Sequence, residues 1–400
     1  VRQLGLIVIA LALVGVGCGG EEPAPTTRTI RVPADQPTIQ AAVDDAQPGD
    51  LILLSPGVYN ESVTVETDRL VIRGLDRNEV VLDGDDRFEN GIMVLADGVA
   101  VENLTIHSYR GNGVLFTGDY ARDVVLRGYR VSYVTAYNNG LYGVYAFGAR
   151  GGLIEHTYAS GHPDAGIYIG QCFPCDAVVR NVTAELNAVG YQGTNAGGDL
   201  WVVASRWQRN RVGIEPNSSD RERLAPQRGS VIAANLIADN SEPNAPRSTD
   251  AFGVGIAVAG GHANRIEGNV IRGHAGAGIL LTAQEAYLPE GNRVLDNQLD
   301  GNGTDLAYVV PGGARADNCF ARNRFTTSSP PDIEARLACT PEAQGGSGEP
   351  VLPVGPPGPD YRRLPRPPEQ PQLPRAATAP ARPASPRPPP VNLATLKVPA

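Results

Sequence analysis

Through the middle of the chain an apolar residue follows glycine at a nearly constant spacing. The pairs are Gly91-Ile92, Gly113-Val114, Gly143-Val144, Gly166-Ile167, Gly190-Tyr191, Gly213-Ile214, Gly255-Ile256 and Gly278-Ile279, at intervals of 22, 30, 23, 24, 23, 42 and 23 residues. A second mark, an Asn before a short apolar run, recurs at Asn103, Asn181, Asn235, Asn269, Asn297 and Asn323. The runs are short and β-branched, Gly, Asn and Asp separate them, and long helical periodicity is absent. This pattern predicts an all-β solenoid of about ten rungs, three strands and three turns to a rung. Each rung hydrogen-bonds to the next at about 4.8 Å. Recurrent Asn at one turn predicts a side-chain ladder that satisfies buried backbone groups. A leucine-rich repeat is excluded, because no L-x-x-L-x-L pattern appears.

An open coil of strands needs caps. Thr38 to Ala46 predict a short amphipathic helix with Ile39, Ala42 and Val43 on one face; Pro48-Gly49-Asp50 stop it and Leu51 to Leu54 begin a strand. This Thr-Ile-Gln-Ala-Ala-Val helix, then Pro-Gly-Asp, an apolar strand and Pro-Gly-Val-Tyr-Asn-Glu, resembles the N-terminal cap of right-handed parallel β-helix proteins of the pectate-lyase-like superfamily. The Gly-Ile and Asn-x-Ile rungs resemble that superfamily's repeats. The resemblance covers about residues 29–340 and implies one right-handed parallel β-helix with a short capping helix.

Alternate strand residues face opposite sides. If the residue after each repeat glycine points inward, the outward row is Met93, Leu115, Tyr145, Tyr168, Gln192, Glu215, Ala257 and Leu280. Two residues further on, the row is Leu95, Thr117, Phe147, Gly170, Thr194, Asn217, Ala259 and Thr282. Tyr145, Phe147, Tyr168, Gln192, Thr194 and Asn217 are thus candidate ligand-binding residues: aromatic faces stack on sugar rings, while amides and hydroxyls bond their hydroxyl groups. Tyr and Thr are also ordinary residues of any exposed sheet. The 42-residue interval adds weight. Gly213 to Asn235 is about 8 residues longer than in regular rungs and Asn235 to Gly255 about 11 longer, which accounts for the difference between 42 and 23. One rung with two inserted loops is expected, both walling the face around Glu215, and function gathers where insertions do.

Glu215 is the one carboxylate on the inferred rows. Hydrolysis of a glycoside usually needs two carboxyl groups, and Asp220 or Glu222 of the first loop could supply the second. A lyase or epimerase instead needs a cation for the enolate and a base; Arg221 or Arg223 would serve as the cation and Tyr168 or His162 as the base. Glu215, Asp220 and Arg221 are therefore the candidate catalytic residues, although Asp-Arg-Glu-Arg also reads as a solvated loop with local ion pairs. The signatures of the superfamily's enzymes are not matched. Each Gly-His pair (at His162, His262 and His274) is followed by Pro or Ala rather than Gly, and Arg-Ile-Lys is missing. Gly161-His162-Pro163-Asp164 has the wrong order for the Asp-Pro-His-Asp of alginate epimerases and reads as a turn. No calcium cluster is evident, so no metal and no cofactor is expected.

The ends set the compartment. Arg2 and the apolar run Leu4 to Val16, followed by Cys18 and Gly-Gly-Glu-Glu, read as a signal peptide over 1–18. Val16-Gly17-Cys18 resembles a bacterial lipoprotein box, which implies lipidation of Cys18 and a membrane-anchored, exported protein; Gly15 stands where that family usually has Leu, and a plain signal peptide is the alternative. Val1 suggests an alternative start codon. Residues 19–28 form a linker. Cys172, Cys175, Cys319 and Cys339 remain, an even number that favours disulfides in an exported protein. Cys172…Cys175 reads as a tight turn disulfide, with a free regulatory thiol pair as the alternative, and Cys319–Cys339 as a staple at the C-terminal end. Cys319 lies more than four rungs from the Gly166 rung, so one zinc cannot collect all four sulfurs. Net charge is −9, which argues against nucleic acid as a partner. Residues 341–400 hold 18 of 34 prolines and are expected to be extended and disordered. The expected function is binding, extending to modification, of an extracytoplasmic polysaccharide by a monomer. The alternatives are a non-catalytic scaffold or adhesion protein that binds another protein, and a polysaccharide lyase, hydrolase or epimerase.

Overall fold

The computed structural model describes residues 27–119, 121–247, 250–313, 317–341 and 343–400. The signal segment and Cys18 lie outside the described residues. Residues 29–329 form a right-handed β-helix whose paired strands are all parallel; among the described residues a lone antiparallel bridge joins Gln284 to Tyr287. Eleven strands stack in one sheet, from Val63–Val65 through Val144–Phe147, Ala165–Gly170, Val189–Thr194, Val212–Asn217 and Val254–Ala259 to Ser328–Ser329. Two further faces meet at sharp bends, as between Ala177–Arg180 and Thr183–Glu185, where Asn181 takes a positive φ of 52°.

The repeat glycines are explained by the closeness of successive rungs. A Cβ on Gly143, Gly190, Gly213 or Gly255 would lie 2.5–2.6 Å from the carbonyl oxygen of the next repeat glycine. The following residue then points inward: Ile92, Val114, Val144, Ile167, Tyr191, Ile214, Ile256, Ile279 and Leu306 stack in register at the centre of the core. Val212 pairs with Val254 and Ile214 with Ile256, so the 42-residue interval is one rung carrying two loops.

Asparagines stack at three turns rather than one. Asn235, Asn269, Asn297 and Asn323 form one ladder, in which each side-chain oxygen accepts from the preceding backbone N–H and amide. His162, Asn187, Asn210, Asn240 and His274 form a second, and Asn264, Asn292 and Asn318 a third. Asn103 and Asn181 stand outside the first ladder. In the Asn181 rung the next residue, Val182, takes that level, and its N–H donates to Ser205 Oγ (3.1 Å).

Both ends are closed. The helix Ile39–Asp45 buries Ile39, Ala42 and Val43, and Thr38 Oγ1 accepts from the Ala41 N–H (3.1 Å). At the other end a helix the sequence reading missed, Ile333–Arg336, buries Ile333, and Glu334 terminates the first Asn ladder by accepting from Asn323. Disulfides join Cys172 to Cys175 and Cys319 to Cys339.

Residues 343–400 depart from the expectation of disorder. They are extended, but they run along the solenoid as a strap. Prolines lack N–H groups and offer only carbonyl acceptors; the solenoid supplies the donors. Arg73 donates to Ala379 O (2.6 Å) and Pro380 O (3.1 Å), and Arg77 to Pro371 O (2.8 Å). Asn138 donates to Leu364 O, while Leu373 N–H donates to Asn103 Oδ1. Val391, Leu393 and Leu396 cover the apolar face of Val178, Val203 and Ala233. The strap sits so close at Gly151 (φ 71°) that a Cβ there would be 2.2 Å from Pro386 O. Gly151→Ala should therefore unseat residues 384–390, read as faster hydrogen exchange at the Ala384 amide, which donates to Gly98 O; unchanged exchange would show that the strap is not held there.

Candidate functional site

The outward rows fall in register. Tyr145 pairs with Leu115 and Tyr168, Tyr168 with Gln192, and Gln192 with Glu215; Thr194 pairs with Asn217. The aromatic part is a packed cluster. Tyr142, from the turn before its strand, stacks on Tyr145 at 4.6 Å and lies 4.9 Å from Tyr168. Tyr145 meets Tyr168 edge-on at 4.9 Å and Phe147 at 5.8 Å. Tyr168 is buried under these rings, so Tyr145 and Phe147 present the partly exposed surface. Toward the next rungs Gln192 Nε2 donates to Glu215 Oε2 (3.4 Å), and Thr194 Oγ1 donates to Asn217 Oδ1 (2.8 Å).

Three carboxyl groups converge on this cluster. Glu215 is pushed up to about 7, first by burial and then by the charge of Asp164. Burial also raises Asp164, against the opposing effect of a hydrogen bond from the Tyr142 hydroxyl. Burial raises Glu222 too; its carboxylate accepts from Gln171 Nε2 (2.6 Å) and acts electrostatically on Tyr145 and Tyr168. A protonated carboxylic acid, a neighbouring carboxylate and aromatic faces can bind a glycan and hand a proton to a glycosidic oxygen.

The first inserted loop closes over this face. Asn195 Nδ2 donates to Ser219 O and Arg223 O and holds the loop to the preceding rung. Within the loop Glu222 turns toward the aromatic cluster. Asp220 turns the other way and accepts from Tyr287 Oη (2.6 Å); Arg221 is exposed. The carboxyl that acts on Glu215 is Asp164, which sequence reasoning placed in a turn; its signal is that this turn directly precedes the strand Ala165–Gly170. Tyr142 was missed for the same reason. His162 is no surface base. It is fully buried in the second ladder, its Nδ1 lies 2.8 Å from Asn187 Oδ1, and burial lowers it to about 4. Among the described residues no group of three or more His, Cys, Asp and Glu side chains is arranged to hold a metal ion.

Residues 90–329 match the family described as right handed beta helix region. No curated protein sequence matches the chain. Among solved structures, it is similar to the A-module of the mannuronan C-5 epimerase AlgE4 of Azotobacter vinelandii, at 15% identity and a TM-score of 0.51, covering 80% of this chain and 94% of that one. It is also similar to the full-length tailspike protein 2 of the Escherichia coli O157:H7 bacteriophage CAB120, at 11% identity and a TM-score of 0.51, covering 74% of this chain and 42% of that one.

Proposed function

The chain belongs to the right-handed β-helix family, and on that premise we propose that it is an exported polysaccharide-binding protein with an acid–base group built into its binding face. The observation that carries this reading is the meeting of Tyr142, Tyr145, Phe147 and Tyr168 with Glu215, a carboxyl half protonated near neutral pH. Aromatic faces supply stacking area; Gln192, Thr194 and Asn217 supply hydrogen bonds; Glu215 supplies a proton, with Asp164 as the second carboxyl. Three carboxyl groups, each negative when ionised, repel a carboxylate, so a neutral or amino sugar suits the floor of the face better than a uronate. The two disulfides fit an oxidising compartment. The signal segment with Cys18 as lipid attachment point would hold the monomer at a membrane surface, its glycan partner outside the cell.

Proton NMR in heavy water tests this with neutral, amino and uronate polysaccharides. Tyr168→Ala should weaken binding of a neutral or amino glycan at least ten-fold, because the packed ring supports Tyr145. Glu215→Gln should leave binding within a few-fold and abolish any new reducing-end signal. Line widths unchanged across the whole panel would refute the reading and favour a protein-binding scaffold.

A further inference from the structure

Arg211 ends the turn that leads into the Glu215 strand, and its surroundings are incomplete. The residue is 1% exposed. Its Nε, Nη1 and Nη2 are buried, and none has a hydrogen-bond partner among the described residues. The guanidinium lies over the ring of Phe252, 4.8 Å from its centroid, at the end of the second inserted loop. On its other side is the strap: a Cβ on Gly355 would sit 2.2 Å from Arg211 Nη2 and 2.6 Å from the Phe252 ring. A guanidinium cannot shed its proton at any ordinary pH, so a dry, unpaired one is strongly unfavourable. The charged groups facing it do not resolve this. Arg247 adds a second positive charge, and Asp250, which opposes it, is already paired with Arg247 at 3.1 Å. The sheet, the ring and the strap thus enclose a cation with five donors and no acceptor.

We propose that Arg211 is an oxyanion-binding site covered by the strap, and that an oxyanion and strap residues 352–358 compete for it. The planar fork of the guanidinium fits a carboxylate, sulfate or phosphate group, whether free in solution or carried on a polymer. Gly355 stands where the anion would approach Nη2. With the strap seated the cation is dry and unpaired; with an anion bound the strap has to lift. This leaves 352–358 less firmly held than the segments anchored by Arg73 and Arg77. Val351, just before this segment, and Val354 within it are 84% and 92% exposed, so its release can be read by cleavage there. The site is independent of the aromatic face and does not require the glycan reading to hold.

The test uses the full chain and thermolysin cleavage at residues 351–354, in sodium sulfate, in inorganic phosphate, in a uronate oligosaccharide, and in sodium chloride at matched ionic strength. The oxyanions should speed cleavage at least five-fold over chloride. A response to sulfate and phosphate alone marks a site for free ions; a response to the oligosaccharide at far lower concentration marks a polymer-borne carboxylate. Arg211→Met keeps an unbranched side chain against Phe252 and removes the charge. It should slow cleavage below wild type and abolish the response. Gly355→Val should unseat the segment without anion and raise sulfate affinity by calorimetry. Equal cleavage in all salts, protection by oxyanions, or an undiminished response in Arg211→Met would overturn the proposal. So would a response that appears only in Asp250→Asn, since Asp250 would then be the native counter-ion.

Discussion

Glu215→Gln should stabilise the protein strongly at pH 8 and far less at pH 5. The carboxyl sits at about 7 in the folded chain against an ordinary value of 4.5. A folded value above the unfolded one means that the native state holds the proton more tightly between those two values. Stability is therefore full below about pH 4.5, falls as pH rises toward 7, and levels off above it. The difference corresponds to about 3 kcal/mol. An amide has no charge to bury and keeps the shape, so the variant should gain most of that at pH 8. Asp164 and Glu222 are raised in the same direction and should leave a smaller residual slope in the variant. Urea unfolding of both proteins at pH 5 and pH 8 measures this. Parallel pH dependence in the two would mean that Glu215 ionises as an ordinary surface acid, and the acid–base role would go with it. A wild type less stable than its amide variant at its working pH is what a functional acid in a partly dry site entails.

The register of the candidate face was legible because two constraints meet in one residue. The repeat glycine has to lack a Cβ where the next rung's carbonyl approaches, as at Gly190 against Gly213 O, and strand alternation then places everything after it. The two loops of the Gly213 rung were legible by the same spacing. Turn residues carry no such period. Asp164 and Tyr142 reach the face from the turns before their strands, and only the fold shows which way those turns lean. Asp220 and Glu222 lie two residues apart on one loop, and their opposite destinations depend on Tyr287 and Gln171, far away in sequence. The strap was illegible for a similar reason. A proline-rich composition shows that the segment builds no core, whereas its docking depends on donors such as Arg73 about three hundred residues earlier.

Asn269→Ala should cost about 2–4 kcal/mol, as a buried side chain lost together with four ladder hydrogen bonds. Asn269 is 1% exposed. Its Oδ1 accepts from Asn235 N–H and Asn235 Nδ2, each at 3.0 Å, and its Nδ2 donates to Ile232 O (3.0 Å) and Asn297 Oδ1 (2.9 Å). Truncation leaves the Asn235 N–H with no acceptor and Ile232 O without its donor from this side chain. Asn181→Ala is the matched control, since the same sequence mark announces both residues. Asn181 is exposed and stands at the bend rather than in the ladder, so the cost there should be about 1 kcal/mol, set by its positive φ of 52°. Because each rung contacts only its neighbours, the Asn269 defect should also uncouple the two halves of the solenoid. Hydrogen exchange should accelerate first in Leu236–Ala238, Val270–Arg272 and Gln298–Asp300, the strands that follow the ladder, while Val99–His107 keeps its protection. Equal losses in the two variants would mean that the stability attributed to the ladder resides instead in the strands on either side of it.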